Sequence, residues 1–159
     1  MQFAVAMGAE VVVTSSKQEK IDGAIAMGAK GGVSYTEKGW SKATREFAPN
    51  GFDVIVDSGG GEGMGECVKA LAPGGRIVFY GGTAGAWPEI QPAALFFKQG
   101  SIMGSTMGSP SDFKEMLDFL NEHKIIPVVS DVFKIDACTE AFKHMEEGKQ
   151  AGKIVFDMA

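Results

Sequence analysis

Strand-like and helix-like segments alternate along the chain, and this alternation constrains the fold more than any other feature. Short apolar runs rich in β-branched residues predict strands near residues 10–14, 31–34, 52–57, 76–80 and 99–106. Amphipathic stretches with helical spacing lie between these runs. Strands alternating with helices form βαβ units, so we predict an α/β fold with a doubly wound, mostly parallel sheet.

Helix-end signals divide the intervening stretches into discrete helices. Apolar spacing predicts helices at 17–27, 36–48, 62–71 and 136–147, and one that starts with Ser109 as its N-cap and Pro110 as its first residue. The residues expected to face the core are Met64, Val68 and Leu71 in the helix at 62–71, and Phe113, Met116, Leu117 and Leu120 in the helix that starts at Ser109. Pro73-Gly74-Gly75 should separate the helix at 62–71 from the strand at 76–80. Residues 125–133 are expected to be extended, and 153–156 form a last strand. The chain opens with an apolar stretch typical of the end of a helix, whereas a doubly wound sheet normally starts with a strand and a glycine-rich turn. We therefore expect the fold to be truncated at its N-terminal strand.

Composition excludes several classes of protein. The chain has 159 residues, of which 45% are apolar and 22% charged, which is typical of a globular domain. A net charge of −5 gives no basic surface for nucleic acid. No apolar run reaches the ~18 residues of a membrane helix, so we expect no membrane partner. Two cysteines outside any CxxC pattern favour a cytoplasmic location.

The end of the first strand combines hydroxyl groups with lysines. The sequence there is Val13-Thr14-Ser15-Ser16-Lys17-Gln18-Glu19-Lys20. In a dinucleotide-binding fold this position meets the adenosine ribose, and an acidic residue there binds the 2′-hydroxyl of NAD. Hydroxyls and an ammonium suit a 2′-phosphate instead. The structural alternative is that Ser15 caps the next helix and the lysines are solvated.

Glycine-rich loops follow two later strands. The loop Asp57-Ser58-Gly59-Gly60-Gly61-Glu62-Gly63-Met64-Gly65 fails the GxGxxG pattern in every register, so it is either a plain turn or a loop that touches a cofactor. The segment Phe79-Tyr80-Gly81-Gly82-Thr83 is either a simple turn or a close approach of backbone to ligand.

Patterns for metal binding and proton transfer are lacking. There is no HExxH motif and no cysteine cluster, so we expect no metal site. His123 and His144 fall near predicted helix C-termini, where a surface role is favoured. Tyr35 has Gly39, not lysine, four residues later. We therefore assign no catalytic residue.

Four segments together resemble the medium-chain dehydrogenase/reductase superfamily. These are MGAEVVVTSSKQEKI, AMGAKGGVSY, GFDVIVDSGGG and LAPGGRIVFYGGTAG. The ending AFKHMEEGKQAGKIVFDM is similar to the family's closing segment. The nearest branch is that of quinone oxidoreductases and zinc-type alcohol dehydrogenase-like proteins. The resemblance implies a Rossmann-like cofactor-binding domain that lacks the family's GroES-like catalytic domain, where zinc ligands lie in members that have them.

The resemblance also implies site residues, a cofactor and a division of the chain. Ser16 and Lys20 match 2′-phosphate contacts of NADP-dependent members, with Ser15 beside them, and Tyr35 matches a tyrosine near the cofactor phosphates. The other matches are Ser58 and Gly59 near the adenosine and ribose, and Tyr80, Gly81 and Gly82 near the nicotinamide. Residues 1–124 would form an incomplete dinucleotide-binding domain, and residues 125–159 a segment that packs on a catalytic domain.

Three functions are compatible with these patterns. The leading one is the cofactor-binding part of an NADP(H)-dependent oxidoreductase that transfers hydride to or from a small carbonyl, quinone or activated alkene. Without the glycine turn, the isolated chain should bind cofactor weakly and turn nothing over. The strand at 99–106 resembles the edge strand of family homodimers. The alternatives are a fragment of an S-adenosylmethionine-dependent methyltransferase, which the absence of an acidic residue near Ser15 disfavours, and a non-catalytic dimerisation or binding module.

Overall fold

The computed structural model describes residues 1–158. The chain forms two compact units. The first unit is Met1–Pro110, and the second begins at Ser111. Among residues 1–158, no helix has the length and apolar character needed to cross a bilayer. The predicted division at residues 124 and 125, which concerns packing on a catalytic domain, stays a prediction.

The first unit follows the predicted alternation of strands and helices. Its strands are β1 (Val12–Ser15), β2 (Gly31–Ser34), β3 (Phe52–Asp57), β4 (Leu71–Phe79) and β5 (Ser101–Gly104). Its helices are α1 (Gln2–Ala6), α2 (Gln18–Ala26), a 3-10 helix (Trp40–Glu46), α3 (Gly63–Ala70) and α4 (Ala93–Phe96). Helix α2 ends where predicted, because Gly28 with φ 100° turns the chain into β2.

All five strands pair in parallel, which confirms the predicted Rossmann-like α/β class. Strands β1 and β2 form one sheet, and β3, β4 and β5 form another in that order. The strands therefore lie in two sheets where one continuous sheet was predicted. Apolar runs specify where strands form, but the pairing partner depends on tertiary contacts that no local pattern records.

The core of the first unit lies between α3 and the three-stranded sheet. Met64, Val68 and Leu71 were predicted to face inward, and each has at most 2% of its surface exposed. Ile77 of β4 is fully buried against them. Because the apolar face of α3 packs directly on β4, the loops at the ends of β3 and β4 have a rigid base.

Two predicted elements differ from the structure. The helix expected over residues 36–48 is a 3-10 helix at Trp40–Glu46, preceded by Gly39 in the left-handed region. Strand β4 begins at Leu71, directly after α3, whereas we predicted that Pro73-Gly74-Gly75 would separate helix and strand. The register shift between Phe52 and Val54 accommodates these residues as an irregularity inside the β3–β4 pair.

The second unit contains α5 (Pro110–Glu122), whose first residue Pro110 lies on the boundary, and a parallel pair of strands. These are β6 (Val129–Lys134) and β7 (Lys153–Asp157), joined through a short 3-10 helix and α6 (Cys138–Glu146). The start of α5 at Pro110 was predicted. Its expected core face is only partly buried. Phe113 is 60% and Leu117 is 41% exposed, whereas Met116 and Leu120 are half-buried.

Candidate functional site

The nine predicted site residues lie at the carboxyl ends of four parallel strands in the first unit. Ser15 ends β1, Tyr35 follows β2, Ser58 and Gly59 follow β3, and Tyr80 follows β4. Ser16, Lys20, Gly81 and Gly82 complete the set. Ligands of open parallel sheets bind at this end of the strands. The residues form two groups, which we call the β1–β2 edge and the β3–β4 edge.

At the β1–β2 edge the chain is held by backbone and serine hydrogen bonds. Ser15 pairs with Ser34 in the parallel register. The N–H of Tyr35 donates to the carbonyl of Ser15 over 3.2 Å, which carries the ladder one residue past β2. The Oγ of Ser15 accepts the N–H of Lys17 at 3.3 Å. Helix α2 is capped at Lys17 without a side-chain hydrogen bond, so Ser15 is not its N-cap.

Hydroxyl and lysine side chains line the β1–β2 edge. Ser16 is exposed, Tyr35 is 52% exposed, and Lys17 and Lys20 are half-buried. No carboxylate occurs between Thr14 and Gln18. Hydroxyl and ammonium groups donate hydrogen bonds to phosphate oxygens, and a carboxylate would repel them. The residues present therefore fit a phosphate-bearing ribose.

At the β3–β4 edge the two loops are joined by backbone hydrogen bonds. Asp57, the last residue of β3, accepts the N–H of Gly60 on Oδ2 at 2.7 Å. The Gly61 N–H donates to the Gly85 carbonyl at 3.0 Å, and the Ala84 N–H donates to the Gly59 carbonyl at 2.9 Å. The loop after β3 is therefore fixed to the loop after β4.

The glycines of this edge serve different purposes. A Cβ on Gly81 would collide with the carbonyl oxygen of Ser58, so Gly81 is required by the contact between loops. Gly61 has φ 57°, and a Cβ there would lie 2.7 Å from the Ala84 oxygen. Gly82 has no atom within 4 Å of its Cβ position. Of Gly81 and Gly82, the two glycines predicted near the nicotinamide, only Gly82 has open space beside it.

Sequence reasoning missed two residues that shape these edges. Asp57 was placed at the start of the glycine-rich loop without a role of its own, although an Asp side chain at a strand end commonly accepts a hydrogen bond from a backbone N–H a few residues later. Ser34 was not singled out, yet its Oγ lies 2.7 Å from the Oγ1 of Thr36. A strand-final serine with a polar residue two positions later is the signal that could have found it.

The two histidines and the acidic residues form no metal cluster. Within residues 1–158, no group of three or more His, Cys, Asp or Glu side chains could hold an ion, so the residues described here do not fit a zinc site. In the second unit, Nε2 of His144 lies 3.3 Å from Oδ1 of Asp131.

Comparison with known proteins decides the family. The model of the zinc-binding dehydrogenase family matches residues 1–122, which is more than half of the chain. The chain belongs to the zinc-binding dehydrogenase family. This confirms the predicted medium-chain dehydrogenase/reductase membership. It also decides against the S-adenosylmethionine fold as the interpretation of the strands.

Relatives of this dehydrogenase chain are alcohol dehydrogenase-like and quinone oxidoreductase-like. A zinc-type alcohol dehydrogenase-like protein of Leptosphaeria maculans is 36% identical over 98% of the chain and 46% of its own length. Quinone oxidoreductase-like protein 2 of Bos taurus is 26% identical over 94% of the chain and 46% of its own length. The chain thus spans about half the length of these relatives.

A solved dehydrogenase has the same architecture. The crystal structure of an NAD-dependent alcohol dehydrogenase superimposes with a TM-score of 0.91 at 36% identity, covering 99% of this chain and 46% of that one. The described fold is therefore that of a nicotinamide-cofactor-binding dehydrogenase domain.

Proposed function

We propose that this chain is the cofactor-binding part of an NADP(H)-dependent oxidoreductase. In the whole protein, hydride would pass between the nicotinamide and a small carbonyl, quinone or activated alkene. The cofactor supplies the hydride chemistry, and this chain binds and orients it. The names of the alcohol dehydrogenase-like and quinone oxidoreductase-like relatives support this reaction class. We assign none of the predicted site residues to proton transfer.

The β1–β2 edge carries the preference for NADP(H). Ser16 is exposed there, Lys20 lies one helical turn into α2, and no carboxylate lies between Thr14 and Gln18. One solved neighbour is described as NAD-dependent at 36% identity, so overall similarity does not decide between the two cofactors. The choice rests on the side chains that meet the ribose, and those of this chain suit a 2′-phosphate.

Cytoplasmic location and homodimerisation are further proposals. Cys67 and Cys138 are both free thiols, which is typical of a reducing compartment. Among the described residues β5 pairs only with β4, and its sequence Ser101-Ile102-Met103-Gly104 has no charge. An uncharged edge strand invites pairing with a second copy about a two-fold axis.

Competition between two half-cofactors tests the proposed cofactor. Adenosine 2′,5′-bisphosphate and adenosine 5′-monophosphate differ only in the 2′-phosphate, so their affinity ratio reports on contacts to that phosphate alone. We expect the chain to bind the bisphosphate more tightly by roughly tenfold, and Lys20→Ala to remove most of that preference, since a hydrogen bond to a charged group contributes ~1.5–3 kcal/mol. Lys42→Ala, which removes the same charge from the 3-10 helix, is the control. Equal affinity of the unaltered chain for both nucleotides would contradict the proposal.

A further inference from the structure

Two serine turns of the same kind lie side by side at the β1–β2 edge. Ser15 ends β1 and accepts the N–H of Lys17 on Oγ at 3.3 Å. Ser34 ends β2 and accepts the N–H of Thr36 on Oγ, also at 3.3 Å. The two serines are partners in the parallel register, so their side chains leave the same face of the pair.

In each turn, one residue is exposed to solvent. The residue between acceptor and donor is Ser16 in the first turn and Tyr35 in the second. Ser16 is exposed, and Tyr35 has 52% of its surface exposed. A serine that bonds the N–H two residues ahead fixes the backbone of the residue between them. The paired turns therefore fix the backbone positions from which the Ser16 and Tyr35 side chains extend.

The backbone around Tyr35 is restrained from both sides. Its own N–H donates to the Ser15 carbonyl at 3.2 Å, and the next N–H, of Thr36, donates to Ser34. The hydroxyls of Ser34 and Thr36 also lie 2.7 Å apart. Ordering a residue costs conformational entropy, and a half-exposed tyrosine recovers little of that cost through burial. Burial of the Tyr35 side chain therefore does not account for the restraint on its backbone.

The hydroxyl of Ser34 is already engaged. A serine hydroxyl has one proton and two lone pairs, and here it accepts one N–H and shares a hydrogen bond with Thr36. Ser34 is half-buried, whereas Tyr35 and Thr36 are exposed. This half-buried position suits Ser34 to support Tyr35 rather than to contact a ligand.

We propose that Ser34 is a positioning residue that, through the Ser34–Thr36 turn, holds Tyr35 beside Ser16 and thereby contributes to selectivity for a 2′-phosphorylated adenosine. This inference rests on the proposed function, because it assigns a supporting role within the same site. Ser34 acts through Tyr35 and does not itself contact the nucleotide.

The test compares serine variants by the ratio of two affinities. Nuclear magnetic resonance titrations of the full chain with adenosine 2′,5′-bisphosphate and adenosine 5′-monophosphate give the dissociation constants. Ser34→Ala removes the turn acceptor, and Ser34→Thr restores an Oγ at the same position. Ser130→Ala is the matched control, since it removes an exposed serine hydroxyl that bonds Asp131 in the second unit. Thermal melting of every variant is recorded in parallel.

We expect Ser34→Ala to lower the preference for the bisphosphate roughly three- to tenfold, as loss of one hydrogen-bonded restraint implies. Ser34→Thr should restore the preference, and Ser130→Ala should leave it unchanged. An unaltered chain that prefers the bisphosphate while Ser34→Ala keeps the full preference would overturn this inference and leave the proposed function intact. Equal weakening of both nucleotides together with a lower melting temperature would also overturn it, because that is the result of a merely structural role. An unaltered chain without any preference would overturn the proposed function and this inference with it.

Discussion

The two strand-end edges of the first unit are built on opposite principles. At the β1–β2 edge, exposed side chains form the surface: Ser16 and Tyr35 lie within turns made by Ser15 and Ser34. At the β3–β4 edge, closely packed backbone forms it. Gly81 presses against Ser58, and the loops exchange hydrogen bonds between Gly59 and Ala84 and between Gly61 and Gly85.

This difference predicts how each edge responds to substitution. Exposed side chains such as Ser16 and Tyr35 can change with little effect on folding, so they can determine which ligand binds. A glycine wedged against backbone cannot accept a side chain without moving the neighbouring loop. Substitutions at the β1–β2 edge should therefore alter ligand selectivity, and substitutions at the β3–β4 edge should alter stability.

The largest expected effect is at Gly81. Gly81→Ala places a Cβ against the Ser58 carbonyl, and we expect it to lower the free energy of unfolding by about 3 kcal/mol. Gly82→Ala is the matched control, because its Cβ meets no atom within 4 Å, and it should change stability by less than ~0.5 kcal/mol. Urea denaturation measures both. Similar stabilities for the two variants would show that the β3–β4 loops are not closed as described.

A smaller effect is expected at Glu66, which connects the two halves of the first unit. Its Oε2 accepts the Ser41 hydroxyl at 2.5 Å, so α3 is tied to the 3-10 helix that follows β2. Glu66→Gln should lower the free energy of unfolding by ~1.5 kcal/mol near neutral pH, because a charge-assisted hydrogen bond is lost.

The same carboxyl predicts a pH dependence. Burial raises the pKa of Glu66, but hydrogen bonds from Lys69 and Ser41 outweigh it, and the net pKa lies below the ordinary value of 4.5. A lowered pKa in the folded state adds stability above pH 4.5 that is lost as the pH falls through the folded-state pKa. Denaturation between about pH 6 and 3 should therefore show a steeper loss for the unaltered chain than for Glu66→Gln. Parallel pH profiles would contradict this assignment.

The smallest effect is expected at β5, the outer strand of the three-stranded sheet. Ile102 of this strand packs on the core, whereas Met103 is 42% exposed. Met103→Lys should weaken self-association about tenfold without unfolding the unit, since charged edge strands resist pairing. Light scattering over a concentration series measures this. An unaltered chain that is monomeric throughout would contradict the proposed homodimer.

Much of the first unit could be predicted from periodicity because its signals are local. The spacing of Met64, Val68 and Leu71 identified a buried helix face, and the structure buries all three. The 3-10 helix at Trp40–Glu46 was predicted as an α-helix because the apolar spacing of a short segment does not separate the two.

The second unit shows where such patterns fail. Phe113 and Leu117 have the spacing of a core face, but both are exposed. Amphipathic spacing predicts that a face is suited to burial and does not say whether this chain supplies the surface that buries it.

The sequence predicted which strand ends form the candidate site, but it did not predict which contacts hold each strand end in place. Parallel strands place their carboxyl ends at one edge, so Ser15, Tyr35, Ser58 and Tyr80 could be located from the alternation and the family resemblance. The contact of Gly81 with Ser58 depends on loop conformations that the sequence does not encode locally, so the sequence left a simple turn and a ligand contact as alternatives there.

Comparing NADP⁺ with NAD⁺ on the isotopically labelled chain tests the central claim most directly. The two cofactors share every group except the 2′-phosphate, so the difference between their amide chemical-shift changes locates that phosphate. We predict that the difference is concentrated at Ser16, Lys20 and Tyr35, with little at the loops around Ser58 and Gly81. Identical shift changes for both cofactors, or a difference centred on the β3–β4 edge, would contradict the assignment of cofactor selectivity to the β1–β2 edge.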